Sequence, residues 1–383
     1  MIPYGKQQIS QQDIDSVVKV LQSSNLTQGP TVPLFEENVA KYCSAKYACA
    51  TNSATSALHI ACLALGLSSN DILWTSPISF VASSNCALYC GAKVDFIDID
   101  LATGNLSISA LKQKLIDAKA NNCLPKIIIP VHLCGQSCDM KAIKSLADEY
   151  NINVIEDASH AIGARYNNTI VGCGQYSDIT IFSFHPVKII TSGEGGIAVT
   201  NSSQLIDKLR LLRSHGIVSD ENKMTEPSHG PWYYQQVDLG FNYRMTDIQA
   251  ALGNSQLSQL DNFVTKRNQL AQVYNEAFEQ TELTALIPQV GCYSAYHLYI
   301  VLLAKADEKR HKQIICQLRA ADICAHVHYI PIHTQPYYQS LGFKQGDFPE
   351  AENYYQRAIT LPLYPDLSVE DQQYVINTLK KLL

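Results

Sequence analysis

Short apolar runs alternate with amphipathic stretches along the first two thirds of the chain. The runs occupy 48–51, 72–75, 94–97, 126–131, 153–157, 179–184 and 197–200, and their length and composition are typical of strands. Between them apolar residues recur at helical spacing, for example through Leu111, Leu115 and Ala118. Strands that alternate with helices predict βαβ units, and therefore an α/β fold with a mostly parallel sheet between helices.

The pattern changes after a long helical stretch at 246–280. A predicted strand at 296–303, a helix at 309–318, a strand at 324–330 and a closing helix at 369–383 indicate a smaller α+β unit. No flexible linker stands between the two parts. We therefore predict a large domain over 1–259, with an N-terminal helical segment, and a small C-terminal α+β domain over 260–383.

Composition and charge argue against several classes of partner. Hydrophobic residues make up 46% and charged residues 17% of the chain, as in an ordinary globular protein. The net charge of -6 and the pI near 6.0 argue against nucleic acid or an anionic membrane. The apolar runs are shorter than the roughly 18 to 20 residues of a spanning helix, and no export signal is visible. We therefore expect a cytoplasmic protein.

The twelve cysteines are scattered along the chain rather than arranged as a framework. Cys134 and Cys138, like Cys86 and Cys90, are not spaced as a CxxC pair, and no second pair stands at zinc-ribbon spacing. We therefore expect reduced and mostly buried thiols.

One lysine stands out in the loop between the last two apolar runs. Lys188 lies in a segment of hydroxyl-bearing residues, glycines and apolar residues at 183–196. Removal of a lysine from water disfavours its charged form, and a neutral amine is a nucleophile that forms a Schiff base with a carbonyl, as in pyridoxal phosphate (PLP) enzymes. On this stretch alone, a solvated loop lysine is the alternative.

An acid stands at the carboxyl end of the apolar run 153–157. In open parallel sheets ligands bind beyond these strand ends, so Asp157 lies where a ligand crevice is expected. A carboxylate there can pair with the protonated nitrogen of a pyridine ring, and a helix cap or a structural ion pair is the alternative. His160 can touch the same ring, although a lone histidine is more often structural.

The helix that follows the first run offers a phosphate site. The sequence NSATS at 52–56 opens this helix, and the backbone N–H groups and positive partial charge of a helix N-terminus suit a phosphate. An ordinary Ser or Thr cap is the alternative. Phe80, at the start of the next helix, either belongs to the core or faces a flat ring.

Three histidines stand close together in the C-terminal part. His326 and His328 alternate, so on a strand they face the same side, and with His333 they raise the possibility of a metal site. No carboxylate or cysteine completes the set, so we expect no metal and interpret these side chains as sugar or carboxylate contacts. An amino acid substrate usually needs an arginine that binds its carboxylate bidentately. This segment offers histidine and tyrosine instead and therefore favours a ketosugar substrate. Arg319 and Arg357, elsewhere in the C-terminal part, leave the amino acid alternative open.

Eight short motifs occur in order along nearly the whole chain. They are LTQGP at 26–30, NSATSA at 52–57, PISF at 77–80, EDASHA at 156–161, SFHPVK at 183–188, GEGG at 193–196, RSHG at 213–216 and GFNYRMTDIQA at 240–250. The ordered set resembles the sugar aminotransferase family of PLP fold type I, the DegT/StrS group. The resemblance implies PLP as cofactor, a seven-stranded, mostly parallel sheet, and a homodimer with shared active sites.

The resemblance also implies roles for individual residues. Lys188 would form the Schiff base and Asp157 would pair with the pyridine nitrogen; His160 and His185 complete the implied catalytic set. By the same resemblance, Phe80 and His160 would contact the cofactor ring. The phosphate would be contacted by Ala54, Thr55 and Ser183. Asn242 of the partner subunit would also reach the phosphate.

Within the family, the resemblance is closest to enzymes of the pseudaminic acid pathway that move an amino group from L-glutamate to the C4 ketone of a UDP-linked 4-keto-6-deoxy-N-acetylhexosamine. The discriminating stretches are 24–27, the pair Phe184 and His185, and 326–333. The nucleotide-sugar contacts implied there are Tyr4, Ser24, Asn25, Leu26, Thr27, Ala54, Ser183, Asn242, His326, Val327, His328 and Tyr329.

Three alternatives remain at this point. The substrate can be another nucleotide sugar, aminated at C3 or at a different C4 ketone. A PLP-dependent sugar dehydratase shares the fold but by resemblance carries histidine in place of the lysine, so Lys188 argues against it. A non-catalytic PLP-fold regulator is disfavoured by the presence of Lys188, Asp157 and Ser183 together.

Overall fold

The computed structural model describes residues 1–305 and 307–383. The α-helices are α1 (Gln11–Leu21), α2 (Thr31–Cys43), α3 (Ala54–Ala64), α4 (Ala82–Tyr89), α5 (Ile108–Ala120), α6 (Met140–Tyr150), α7 (Ser203–Arg213), α8 (Asp247–Leu257), α9 (Leu260–Phe278), α10 (Glu308–Ala320), α11 (Pro336–Ser340), α12 (Pro349–Tyr355) and α13 (Val369–Leu382). The strands are β1 (Tyr47–Thr51), β2 (Ile72–Thr75), β3 (Lys93–Phe96), β4 (Ile127–Ile129), β5 (Asn153–Asp157), β6 (Arg165–Tyr166), β7 (Thr169–Ile170), β8 (Ile179–Ser183), β9 (Gly196–Thr200), β10 (Ile217–Val218), β11 (Gln235–Gln236), β12 (Thr284–Ala285), β13 (Cys292–Tyr293), β14 (Tyr299–Leu302) and β15 (Ala358–Leu361).

A seven-stranded sheet organises the large part of the molecule. Its strand order is β1-β9-β8-β5-β4-β2-β3; β9 runs antiparallel to both of its neighbours, and the pairs from β8 to β3 are parallel. Helices cover both faces, so strands such as β4, β8 and β9 are buried along their whole length. The predicted α/β architecture with a mostly parallel sheet is confirmed.

One strand of the sheet ends earlier than predicted, at a proline. The predicted strand 126–131 is shorter, because β4 ends at Ile129 and Pro130 has no N–H to continue the ladder. Pro130 still accepts a hydrogen bond from the N–H of Asp157 at 2.9 Å. The end of β5 is thereby held against the end of β4, where the ligand crevice is expected.

The predicted helical stretch 246–280 is two helices, α8 and α9. The chain leaves α8 at Ser258, and Gln259 precedes α9. Thr246 and Gln249 form a reciprocal capping box at the start of α8, which fixes that helix beginning within a long polar-apolar pattern. The second helix, α9, packs with its buried residues Tyr274 and Phe278 into the core of the C-terminal part.

The C-terminal part contains a three-stranded sheet in the order β12-β14-β15 and the helices α10 and α13. The predicted strand 324–330 is wrong beyond one bridge, between His326 and Thr360. The carbonyl of His328 instead accepts a hydrogen bond from the hydroxyl of Tyr354 at 2.7 Å, and Pro331 lacks an N–H, so no ladder continues. The boundary between 259 and 260 stays a prediction, since one core cluster combines sheet residues with Leu298 and Tyr338.

All twelve cysteines are free, and most of them are buried or half-buried. Within the described residues, none of the helices combines the length and the apolar character that a membrane crossing requires.

Candidate active site

A cavity of about 1020 Å³ opens at the carboxyl ends of β5 and β8. The start of α3, the loop before α4, the loop after β8 and the segment 326–329 form its walls. This is the edge of the sheet where the topology predicts a ligand. The cavity brings together residues that are far apart in sequence, including Tyr4, Asp157, Lys188 and Tyr329.

Lys188 lies in the loop between β8 and β9 and borders the cavity. A turn fixes this loop, because the N–H of Lys188 donates to the carbonyl of His185 at 2.9 Å. Burial lowers the pKa of the Lys188 amine from 10.5 to about 8, against the smaller opposing effect of Asp157. A substantial neutral fraction near pH 8 is what a nucleophilic amine needs. Lys188 is therefore a half-buried lysine at a cavity rather than a fully solvated loop lysine.

Asp157 ends β5 and is 4% exposed. Its Oδ2 accepts a hydrogen bond from the hydroxyl of Ser83 at 2.6 Å, and its Oδ1 accepts one from the N–H of Ser159 at 3.1 Å. No salt bridge involves this carboxylate among the described residues. A buried carboxylate that borders a cavity without a cationic partner is suited to a cationic ring nitrogen of a ligand.

The beginning of α3 forms one wall of the same cavity at Ala54 and Thr55. The side chain of Ser53 caps the helix and accepts a hydrogen bond from the N–H of Ser56 at 3.1 Å. The helix cap and the predicted phosphate site can therefore occur together in this segment. A Cβ on Gly196 would lie 2.4 Å from the N of Ala54. Glycine is therefore required where β9 passes beneath the helix start.

Ser183 and Phe80 complete the part of the cavity that suits a phosphorylated ring. The Ser183 hydroxyl accepts only a long hydrogen bond of 3.5 Å from the N–H of His185, which leaves it available to a ligand. Phe80 borders the cavity and is 60% exposed, so it is not a core residue. His185 lies at the mouth, its Nε2 4.0 Å from Oε1 of Glu194. We call five of the predicted cofactor residues of this cavity the floor: Ala54, Thr55, Asp157, Ser183 and Lys188.

His160 borders the cavity and is almost fully buried. Its Nε2 is 3.1 Å from the hydroxyl of Tyr329, and its Nδ1 has no hydrogen-bond partner among the described residues. Burial and the nearby Lys188 hold the pKa of His160 well below its ordinary value. The imidazole is therefore neutral at pH 7 and leaves an open nitrogen.

The opposite side of the opening, which we call the rim, consists of Tyr4, His326, His328 and Tyr329. The rings of His326 and His328 stack 4.6 Å apart, and Tyr4 lies 5.0 Å from His328. Burial lowers the pKa of His328 to about 3, and its Nδ1 is 3.0 Å from the hydroxyl of Thr360. The rim therefore offers flat rings, and the ring of His328 is neutral.

Six predicted substrate or cofactor residues do not border this cavity. We call five of them the outer residues: Ser24, Asn25, Leu26, Thr27 and Asn242. Two of them, Ser24 and Asn25, border a second cavity of about 980 Å³ between α1, α2 and α8. The carbonyl of Leu26 accepts from the N–H of Asp247 at 3.0 Å, and Thr27 pairs with Thr246. The outer residues therefore lie on the surface before α8. Val327 also lies away from the cavity and packs against the core.

The third histidine of the segment pairs with a carboxylate of α12. His333 is buried, and its Nε2 lies 2.8 Å from Oε1 of Glu352, away from the stacked pair. No group of three or more His, Cys, Asp or Glu is positioned to hold a metal within the part of the chain that the structure describes.

The two arginines that left an amino acid substrate open are engaged elsewhere. The Nε of Arg319 donates to the carbonyl of Ala325 at 3.0 Å, and the Nε of Arg357 donates to that of Leu303 at 2.6 Å. Neither side chain borders the cavity. A bidentate clamp for a substrate carboxylate is therefore not supplied by these two residues.

Sequence reasoning missed several residues of this cavity. Asn52, Ser83, Glu194 and Gln249 all border it, and the Nε2 of Gln249 donates to the carbonyl of Glu194 at 2.9 Å. Ser83 lies in the serine-rich start of α4, and the local sequence there does not indicate a site residue. Its place in the site depends on its contact with Asp157, at the end of β5.

A neutralisable lysine and a buried acid border one cavity, which a helix N-terminus and a free serine hydroxyl complete. With the fold, this site defines a PLP-dependent transferase: the amine fits an aldehyde, the acid a pyridinium, and the helix start a phosphate.

The chain belongs to the DegT/DnrJ/EryC1/StrS aminotransferase family, whose model matches residues 7–380. It is 39% identical over 385 residues to a protein of Campylobacter jejuni, the UDP-4-amino-4,6-dideoxy-N-acetyl-beta-L-altrosamine transaminase, with 100% of this chain and 98% of that one covered. The predicted PLP-dependent sugar aminotransferase is confirmed as the class of enzyme.

Solved structures show the same similarity. Helicobacter pylori PseC, described as an aminotransferase involved in the biosynthesis of pseudoaminic acid, superposes with a TM-score of 0.90 at 34% identity, covering 100% of this chain and 98% of that chain. A sugar aminotransferase of Streptococcus pneumoniae, Spr1654 in its PLP form, gives a TM-score of 0.89 at 28% identity, with 100% and 98% covered. These similarities confirm the predicted cofactor and fold.

Proposed function

We propose that this aminotransferase moves an amino group from L-glutamate to the C4 ketone of a UDP-linked 4-keto-6-deoxy-N-acetylhexosamine, in the synthesis of pseudaminic acid. The observation that supports the proposal most is the composition of the cavity. Its floor suits PLP, while its rim offers histidine and tyrosine rings and no arginine. Flat rings suit a sugar and a nucleotide base.

The similarity to the C. jejuni and H. pylori enzymes supports the same substrate class, because both names refer to amino sugars of this type. A nucleotide sugar aminated at C3, or at a different C4 ketone, would use the same floor. Selection among these substrates would therefore depend on the rim and on the outer residues.

The chemistry that PLP supplies when bound is storage of the amino group and withdrawal of electrons from the carbon that loses a proton. Lys188 would bind its aldehyde carbon and, once displaced by the amino donor, carry the proton between the two reacting carbons. Asp157 would keep the pyridine nitrogen protonated. These two roles require a neutral amine and an ionised acid in one cavity, and burial lowers the pKa of Lys188 toward that state.

The remaining floor residues would hold the phosphate. Ala54 and Thr55 offer backbone N–H groups at the start of α3, and Ser183 offers its hydroxyl. Phe80 would stack on one face of the ring with His160 beside it. His185 remains a predicted catalytic residue at the mouth of the cavity.

We also propose a homodimer in the cytoplasm, in which Asn242 of the partner subunit contacts the phosphate. In this chain Asn242 does not border the cavity, but its carbonyl lies 3.5 Å from the side-chain amide of Asn52, which does. Exposed apolar residues on the neighbouring segment, Trp232 and Leu239 among them, are available for burial in such a contact.

The test is an assay with defined substrates. The purified enzyme is incubated with L-glutamate and a panel of UDP-linked 4-keto-6-deoxy and 3-keto sugars, and the products are identified by mass spectrometry. We expect an amino sugar from the 4-keto-6-deoxy-N-acetylhexosamine together with 2-oxoglutarate. Amination of another ketosugar alone would transfer the proposal to that substrate, and a deoxy-ketosugar formed without an amino donor would indicate a dehydratase.

A further inference from the structure

The acid of the floor has a partner that the motifs do not include. The hydroxyl of Ser83, on the first turn of α4, lies 2.6 Å from Oδ2 of Asp157. Ser83 is 0% exposed and Asp157 is 4% exposed, so water does not compete for this contact. A short hydrogen bond from a hydroxyl to a buried carboxylate is among the stronger hydrogen bonds in proteins.

The direction of the hydrogen bonds follows from the number of protons. Ser83 has a single hydroxyl proton and lies near three acceptors: Asp157 at 2.6 Å, the hydroxyl of Ser79 at 2.7 Å, and the carbonyl of Phe80 at 3.4 Å. An ionised carboxylate can only accept, so Ser83 donates to Asp157 and Ser79 donates to Ser83. The result is a chain of two hydroxyls that ends on the carboxylate.

This chain links two sides of the cavity. Ser79 and Ser83 flank Phe80, the residue proposed to stack on the ring, and they fix the start of α4 to the end of β5. The second oxygen of Asp157 is held by the N–H of Ser159 at 3.1 Å. Both oxygens are therefore oriented by the protein, and each keeps a lone pair for the ligand.

We propose that Ser83 is a positioning residue of the enzyme, which holds the Asp157 carboxylate aimed at the pyridine nitrogen of PLP through its donated hydrogen bond. The inference rests on the proposed pairing of Asp157 with that nitrogen. A hydrogen bond to the charged form of an acid favours that form, so loss of the hydroxyl makes the carboxylate a stronger competitor for the shared proton. A ring nitrogen without its proton withdraws fewer electrons from the bond to Lys188.

The experiment compares the pH dependence of the visible absorption of PLP-loaded wild type, Ser83→Ala and Asp157→Asn. Loss of electron withdrawal makes the nitrogen of Lys188 more basic, so we expect the absorption midpoint to move to higher pH in Ser83→Ala. We also expect kcat to fall about tenfold with little change in KM, the size expected for one hydrogen bond to a charged group.

Ser84→Ala is the matched control. Ser84 is the next residue of the same helix, is 0% exposed, and shares a hydrogen bond with the hydroxyl of Tyr338 instead of with the acid. This variant removes the same atom from the same helix, and we expect it to leave the absorption midpoint unchanged. A purely structural role of Ser83 would make the two variants alike.

The double variant Ser83→Ala with Asp157→Asn completes the test. We expect Ser83→Ala to have no further effect on the absorption midpoint once the carboxylate is absent, because the effects of substitutions at two contacting residues are not additive. An unshifted midpoint in Ser83→Ala beside a shifted one in Asp157→Asn would overturn this inference alone. An unshifted midpoint in Asp157→Asn would overturn the proposed pairing itself.

Discussion

The floor and the outer residues come from equally short motifs, yet the fold treats them differently. Floor residues such as Asp157 and Lys188, which are far apart in sequence, border one cavity. The outer residues, Ser24 to Thr27 and Asn242, lie away from that cavity on the surface before α8. A single chain therefore brings most of the predicted cofactor residues together, whereas Asn242 and the predicted substrate residues at 24–27 lie away from them.

The difference has a physical origin. Parallel strands place their carboxyl ends at one edge of the sheet, so residues that follow different strands necessarily meet there. Residues in surface segments have no such constraint within one chain. If they contribute to the same ligand, as we propose, a two-fold dimer would bring the same surface of a second copy to the cavity.

The largest effect is expected in the floor. Lys188→Ala removes the amine that we propose binds the cofactor and moves the proton, so we expect kcat to fall by about 10⁴-fold or more. Turnover of L-glutamate and the ketosugar measures the loss, and mass spectrometry after borohydride reduction of the wild type should locate the cofactor on Lys188. The control is Lys19→Ala, in the second cavity. Equal losses in both variants, or a cofactor attached elsewhere, would contradict the assignment.

The second effect concerns stability, because the floor keeps an amine out of water. The pKa of Lys188 is about 8 in the folded chain and 10.5 ordinarily, so the unfolded chain binds more protons between these values. The stability of the wild type therefore rises with pH from 8 to 10.5 relative to a variant without this amine. Apoprotein of Lys188→Met should be more stable than wild-type apoprotein by about 3 kcal/mol at pH 7.

Urea unfolding of both apoproteins at several pH values measures this difference. We expect the advantage of Lys188→Met to shrink steadily as the pH approaches 10.5. An advantage that does not change with pH would show that packing rather than charge causes it. Arg267 is a second buried cation of the same molecule, and it differs from Lys188 in its hydrogen bonds. Its Nη1 donates to the carbonyls of Tyr296, His297 and Leu363 at 3.2, 3.2 and 2.9 Å. Lys188 Nζ makes no hydrogen bond among the described residues.

The third prediction tests whether the outer residues act on a second copy. Lys188→Ala and Asn242→Ala are co-expressed with different tags and the mixed dimer is purified. If Asn242 contacts the phosphate of the partner subunit, one site of the mixed dimer carries both defects and the other carries none. We expect a mixed dimer with about half of the wild-type activity, although each parent is nearly inactive. Activity that stays at the level of the parents would place Asn242 in its own site.

Much of this site could be predicted from the sequence, for reasons that particular residues show. Asp157 was predictable because a strand end in a parallel sheet is a ligand position, and Lys188 because its neighbours are small or apolar. Ser83 was not, since its role depends on a distance of 2.6 Å to another element. The strand predicted at 324–330 failed because the hydroxyl of Tyr354, distant in sequence, takes the carbonyl that a strand would use.

The smallest effect is expected at the rim. Tyr329→Phe removes one hydroxyl, which lies 3.1 Å from Nε2 of His160, and one neutral hydrogen bond changes binding by about tenfold at most. If the hydroxyl serves the sugar, KM for the ketosugar rises while kcat and the half-reaction with L-glutamate stay unchanged. The control is Tyr374→Phe, an exposed tyrosine that donates to the carbonyl of Ala321. If both half-reactions slow instead, the hydroxyl acts through His160 on the floor, and the division between rim and floor does not hold at this residue.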